Sequence, residues 1–361
     1  MIAEPGQAPE RIDCYRPEPF HPAEWLRHPH MQTIYGEVMP RPFNRPDHAA
    51  WEAACKREEL ALPDGDRVVV WTHFHPDDTG RRKPVVVHFH GLEGSADASY
   101  QRGLSSKAFA AGFDSVRVNF RNCGDTEHLA RRFYFGAHTE EVVAALETVH
   151  RDFGFERVYG TGVSLGANML LHALCDWGAQ PPAWLKGVVA VSAPVQMAMA
   201  GEALKSGFNR IYDIFFLRAL GAKLRKKMQV SPGGADLLPY LERMRTVRTL
   251  AEFDEFITAP LGGYENAAHY YRAGSSGPRL GDIRVPALLI HAEDDPFVPF
   301  AGLQMHAEAI AANPWLATAF TRAGGHVGFV ADRRAPVSEL WMDDRWSENE
   351  AIRFLRHADI H

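Results

Sequence analysis

The chain has 361 residues, of which 46% are hydrophobic, and a formal net charge of −6 at pH 7. That apolar share suffices for a sizeable core, and an acidic balance gives no broad cationic field, so a nucleic-acid partner is not expected. Four cysteines, Cys14, Cys55, Cys123 and Cys175, lie far apart without C-x-x-C spacing, the pattern of free thiols in a reducing compartment.

In chain order, residues 1–16 lack the apolar run of a signal peptide, and no stretch approaches the roughly eighteen uninterrupted apolar residues that a membrane span needs. A cytoplasmic location is therefore expected. Residues 1–55 are rich in proline and aromatic side chains, as in Phe20-His21-Pro22 and Met39-Pro40-Arg41-Pro42. Such a segment breaks long helices and central strands, so it reads as an arm docked on the surface. Residues 57–62 and 67–74 read as two strands joined by the turn Pro63-Asp64-Gly65-Asp66, an antiparallel hairpin.

The rhythm then changes. Residues 84–89, 115–120, 157–163, 187–191 and 286–290 are short runs rich in Val, Leu and Ile, suited to strands buried on both faces. Helical patterns at 105–112, 139–152 and 165–177 lie between them. This alternation predicts an α/β fold with a mostly parallel, doubly wound sheet, formed by residues 56–196 and 281–361. It fails from about 197 to 280, which reads as a helical cap inserted between two strands. There Phe208, Ile211, Tyr212, Phe215 and Ala219 recur at helical spacing, the expected face of a cap helix packed on the core. The basic residues Arg218, Lys223, Arg225, Lys226 and Lys227 leave a second reading, weak contact with an anionic lipid surface through the cap.

Gly162-Val163-Ser164-Leu165-Gly166 stands between an apolar run and a helical pattern, where a sharp strand-to-helix turn would lift a serine hydroxyl above the sheet. Alone, Ser164 could be an ordinary helix cap. A serine nucleophile needs an imidazole to take its proton and a carboxylate to orient that imidazole. His291-Ala292-Glu293-Asp294-Asp295-Pro296 follows the strand at 286–290, and Asp295 is the chosen acid, with Asp294 in reserve; either could instead cap the helix that begins near Phe300. After a strand-like segment at 316–321, Gly324-Gly325-His326-Val327-Gly328-Phe329 presents His326, the candidate base. His90-Gly91-Leu92-Glu93-Gly94 follows the strand at 84–89, and the backbone N–H groups of Leu92 and Leu165 are the candidate oxyanion hole.

Three H-x-H pairs, His28/His30, His73/His75 and His88/His90, have no carboxylate or cysteine set to complete a zinc site, so no metal and no cofactor are expected. His90 fits the oxyanion turn better, and Arg121 reads as a loop anchor.

Taken together these segments, with Trp25-Leu26-Arg27-His28-Pro29-His30-Met31-Gln32-Thr33, Phe120-Arg121-Asn122-Cys123, Ala167-Asn168, Phe253-Asp254 and Tyr270-Tyr271, resemble the YheT-like (AB hydrolase family 4) branch of the α/β-hydrolases. The resemblance implies an α/β-hydrolase fold and a Ser-Asp-His esterase or lipase-like enzyme acting on a small-molecule carboxylic ester, with relatives that act on short acyl esters, acylglycerols or phospholipids; it does not fix the substrate, and short to medium acyl esters or acylglycerols are the expected class. Asn122 and Ala167 stand where the family more often has glycine. Two alternatives stay open: a thioesterase or acyltransferase on the same triad, and a non-catalytic protein that binds a small ligand. The oligomeric state is not legible in the sequence.

Overall fold

The β-branched runs become the central strands of one eight-stranded sheet in the computed structural model, which describes residues 12, 15–39, 48–76, 83–231, 234–333 and 338–360. The strands are β1 (Cys55–Ala61), β2 (Arg67–His73), β3 (Val85–Phe89), β4 (Asp114–Val118), β5 (Val158–Val163), β6 (Leu185–Val191), β7 (Ala287–Ala292) and β8 (Leu316–Thr321), in the spatial order β1-β2-β4-β3-β5-β6-β7-β8. β2 pairs antiparallel with β1 and β4, the expected hairpin included, and every other neighbouring pair is parallel.

Strand periodicity separates two cores. On β3, Val85, Val87 and Phe89 face one apolar cluster and Val86 faces the other. The helices Glu140–Arg151 and Leu165–Trp177 cover the first face, and Ser99–Ala110 and Trp346–Ile360 cover the second. The helix expected from 105 begins at Ser99. Its apolar period is hidden because Gln101, Ser105, Ser106 and Lys107 are all buried. Polar partners make that burial tolerable: Ser105 Oγ accepts from Trp51 Nε1 at 2.9 Å and from Ser115 Oγ at 2.7 Å, and Lys107 pairs with Asp343 and Glu348.

The arm carries a helix of its own. Residues 29–38 form the helix Pro29–Val38, with Pro29 in the first turn, where its missing N–H leaves no bond unmade. Leu26 and Gln32 are fully buried, and Pro22 bridges Ala331. The Pro40 and Pro42 pair and Cys14 lie outside the described residues; Cys55, Cys123 and Cys175 are free thiols.

Between β6 and β7 the described chain is helical, and its longest element is the cap helix Arg210–Val230. The face expected to pack is largely turned to solvent: Ile211 is 55% and Phe215 64% exposed, and only Tyr212 of the five is buried. The inward face carries Asp213, Lys223, Leu224 and Lys227 instead. Apolar spacing misleads here because the buried polar groups are paired. Asp213 Oδ1 accepts the Leu250 N–H at 2.7 Å, and Lys227 Nζ donates to Asn122 Oδ1 at 2.7 Å and to the Ala130 carbonyl at 2.6 Å. Asn122 sits at φ +62°, a conformation that asparagine tolerates better than most residues. Among the described residues, no helix is long and apolar enough to cross a membrane.

Arg121 anchors the loop after β4. It is 1% exposed and pairs with Asp64 at 2.7 Å, Asp66 at 3.2 Å and Glu141 at 2.9 Å, tying the β1–β2 turn to the start of the helix Glu140–Arg151. Replacing it in Arg121→Met strands a buried Glu141, so urea unfolding is expected to show a loss of about 3–5 kcal/mol. A loss below about 1 kcal/mol would contradict the anchor.

Candidate active site

β5 ends at Val163 and a helix starts at Leu165, so the chain must reverse within Ser164, which takes φ +53° and ψ −123°. Such a conformation costs on the order of 1–3 kcal/mol for a residue with a side chain and persists only where its surroundings enforce it. The flanking glycines allow it. A Cβ on Gly162 would lie 2.5 Å from the Cα of Ala167, and one on Gly166 would collide with the His90 carbonyl oxygen. The turn therefore seats its serine against the end of β3.

Three residues far apart in the chain meet above that turn. His326 Nε2 lies 2.9 Å from Ser164 Oγ, and His326 Nδ1 lies 2.8 Å from Asp295 Oδ2. The other Asp295 oxygen accepts the N–H groups of Phe297 at 2.8 Å and Val298 at 2.9 Å, which fixes the carboxylate. Burial alone would raise the Asp295 pKa, but the neighbouring His326 and the hydrogen bond to it, helped by His291 and the Val298 N–H, bring it below the usual carboxylate value. Asp294 acts elsewhere, since its Oδ1 accepts the Gly325 N–H at 2.9 Å and so pins the histidine loop. An ionised Asp295 holds the proton on Nδ1 and leaves the Nε2 lone pair facing the serine.

The turn after β3 comes close to Ser164, since a Cβ on Gly91 would be 3.1 Å from the serine Cβ. Its shape is braced on several sides. The Gly91 N–H donates to Tyr100 Oη and the Glu93 N–H to Tyr134 Oη, each at 3.0 Å. His90 donates from Nδ1 to the Gly91 carbonyl at 2.7 Å and accepts the Phe120 N–H on Nε2 at 3.1 Å. Burial lowers the His90 pKa to about 3, so the ring stays neutral and can accept. Among the described residues, the N–H groups of Leu92 and Leu165 find no acceptor in the chain, and both residues line the cavity that contains Ser164. Lys223 on the cap helix reaches Glu93 at 2.6 Å, so the cap also holds this turn.

Sequence reasoning missed the contribution of the arm. Thr33 Oγ1 accepts the backbone N–H of His326 at 2.9 Å and donates to the Pro29 carbonyl at 2.9 Å. Gln32 clasps Val330, accepting its N–H at 2.7 Å and donating to its carbonyl at 3.1 Å. Gly36 packs on Gly328, where a Cβ would come within 2.8 Å of the Gly328 Cα. A glycine inside a ten-residue helix was the one available signal, because it weakens the helix unless another backbone must come close.

Two cavities meet at Ser164 and His326. One, of about 130 Å³, lies under the cap and is walled by Phe135, Leu165, Met197, Leu224, Ile257 and Tyr270. The other, of about 350 Å³, runs between the arm helix and the cap helix. The H-x-H histidines go to separate partners, such as His88 to Thr161 and Ser115, His73 to Trp51, and His75 to Asp114. Among the described residues, no group of three or more His, Cys, Asp or Glu side chains could hold a metal ion.

Residues 84–329 match the family model described as alpha/beta hydrolase fold. A protein of Escherichia coli (strain K12) named "Putative esterase YheT" is 34% identical over 327 residues, covering 90% of this chain and 91% of that one. The "Monoacylglycerol lipase" of Saccharomyces cerevisiae is 27% identical over 302 residues, covering 80% of this chain and 64% of that one. The Pyrococcus furiosus esterase Pf2001 superposes with a TM-score of 0.51 over 81% of this chain and 91% of its own at 16% identity, a likeness of fold.

The arm contacts make Thr33 a positioning residue for the histidine loop. Thr33→Val leaves the His326 N–H buried without an acceptor, which costs about 1–3 kcal/mol in stability. Turnover at this site is expected to fall severalfold in kcat with KM little changed, and Thr33→Ser to restore it. Steady-state kinetics showing equal kcat for all three proteins would contradict this role.

Proposed function

The chain belongs to the α/β-hydrolase family, on its YheT-like branch, and from that membership we propose that it hydrolyses carboxylic esters through a covalent acyl-serine intermediate. The single observation that supports this most is the continuous hydrogen-bonded path from Ser164 Oγ through the His326 ring to Asp295, set beside two unbonded backbone N–H groups. A hydroxyl is a weak nucleophile at neutral pH, and this path gives its proton somewhere to go.

In the acylation step Ser164 Oγ bonds to the ester carbonyl carbon while its proton passes to His326 Nε2. The imidazolium that forms is held by the Asp295 carboxylate. Negative charge gathers on the former carbonyl oxygen, which the N–H groups of Leu92 and Leu165 stabilise. Collapse expels the alcohol, which takes the proton back from Nε2. Water then repeats the sequence against the acyl-enzyme, with His326 again as base and then as acid, and releases the carboxylic acid.

Predominantly apolar walls around Ser164 favour an ester with an aliphatic acyl group, and relatives named for esterase and monoacylglycerol lipase activity support the same class. A protein that only bound a ligand would have no use for a strained serine aligned with an imidazole, and this argues against the non-catalytic alternative.

Substitutions test the assignments separately. Ser164→Ala is expected to abolish hydrolysis of p-nitrophenyl butyrate with the circular dichroism spectrum unchanged. Asp295→Asn is expected to lower kcat by about 10⁴, through loss of the correct tautomer and of the charge that stabilises the imidazolium. Asp294→Asn, which keeps an acceptor for the Gly325 N–H, is expected to lower kcat less than about tenfold. Equal losses in the two aspartate variants would refute the division of labour between them.

A further inference from the structure

The ester reading leaves one feature unused: the 350 Å³ groove between the arm helix and the cap helix. Resting on that reading, we propose that this groove is the subsite for the leaving alcohol and that it selects esters whose alcohol portion is itself apolar, while the 130 Å³ cavity under the cap takes the acyl chain.

Geometry divides the two spaces. The leaving oxygen must receive its proton from His326 Nε2, and the groove wall continues along the histidine loop to Val327. Ser164, His326 and Leu92 border both spaces, whereas Leu165 walls only the cavity under the cap and Val327 only the groove. Exposure divides them as well. None of the residues lining the cavity under the cap is exposed, as suits a chain that stays bound through the acyl-enzyme. The groove is rimmed by exposed Ile34, Val38, Ile211 and Phe215, a way out for a product that must depart before water attacks.

Chemistry follows from the walls. Ile34, Val38, Ile211, Phe215, Phe216 and Phe297 supply apolar surface from both helices and the acid loop. Several polar groups along the groove are already engaged: Thr33 with His326, Glu93 with Lys223, Tyr100 with Gly91, and Tyr212 with His30 at 3.1 Å. Selection there rests on apolar area, not on directed hydrogen bonds. It also explains why the cap helix turns Ile211 and Phe215 outward while burying lysines: the apolar side chains border the substrate's path.

The test varies the two halves of the ester independently. With the acyl group held as butyrate, kcat/KM measured by acid release is expected to rise about twofold to fourfold per added methylene from the ethyl to the hexyl ester. In the double variant I211D/F215D the dependence on alcohol length is expected to flatten, while the dependence on acyl length, measured with ethyl esters, keeps its slope. Leu340→Asp, at an apolar residue 95% exposed and outside the groove, is expected to keep both slopes. A flat alcohol series in the unaltered protein, or an undiminished slope in I211D/F215D, overturns the subsite. In either case, labelling of Ser164 by a fluorophosphonate leaves the hydrolase reading standing. Failure of both labelling and hydrolysis overturns the two together.

Discussion

The site depends on one close approach, the backbone at the end of β3 lying against the first turn of the helix that begins at Leu165. That approach requires Gly166 beneath the His90 carbonyl and Gly162 over Ala167, and with those side chains missing Ser164 can hold φ +53°. The same contact brings Gly91 beside the serine, so Ser164 and the turn that carries the Leu92 N–H are set by a single packing event. Backbone strain at Ser164 is sustained by the sheet around it, where β3, β5 and β7 are buried along their whole length.

The remaining parts of the site come from loops, and loops need support that a sheet does not provide. His326 stands on a glycine-rich segment that Thr33, Gln32 and Gly36 hold from the arm and Asp294 holds from the acid loop. The turn after β3 leans on Tyr100, on Tyr134 and, through Glu93, on Lys223 of the cap helix. Arm and cap therefore brace different sides of the site, and their helices face one another across the groove that reaches the serine. His30 and Tyr212, hydrogen-bonded to one another, join the arm helix directly to the cap helix.

Much of this was legible in the sequence because backbone requirements leave a residue signature. Glycines at 162 and 166, the proline after Asp295 and the glycines around His326 each report a local conformation, and the β-branched runs report strands buried on both faces. What stayed hidden depends on partners distant in the chain. Nothing local marks Thr33 as the acceptor for His326, and the sequence favours Asp295 over Asp294 only through the proline that follows it, while the role of Asp294 in pinning the Gly325 N–H is set by the fold. The cap helix misleads for a related reason. Its apolar spacing suggests burial of Ile211 and Phe215, yet the inward face is closed by Asp213, bonded to the Leu250 N–H within the cap, and by Lys223 and Lys227, paired with Glu93 and Asn122 across the interface, a pattern that hydrophobic periodicity cannot register. The helix Ser99–Ala110 begins earlier than its apolar pattern for the same reason, with Gln101 and Lys107 buried along it.

The central claim is that the Ser164 hydroxyl, activated by His326, carries the acyl group. Its most direct measurement is the mass of the protein quenched within milliseconds of mixing with p-nitrophenyl butyrate, followed by peptide mapping. One butyryl group is expected on the peptide that contains Ser164, appearing before steady-state turnover and absent in His326→Ala. Turnover without an adduct at Ser164, or an adduct that forms as quickly when His326 is replaced, would contradict the claim.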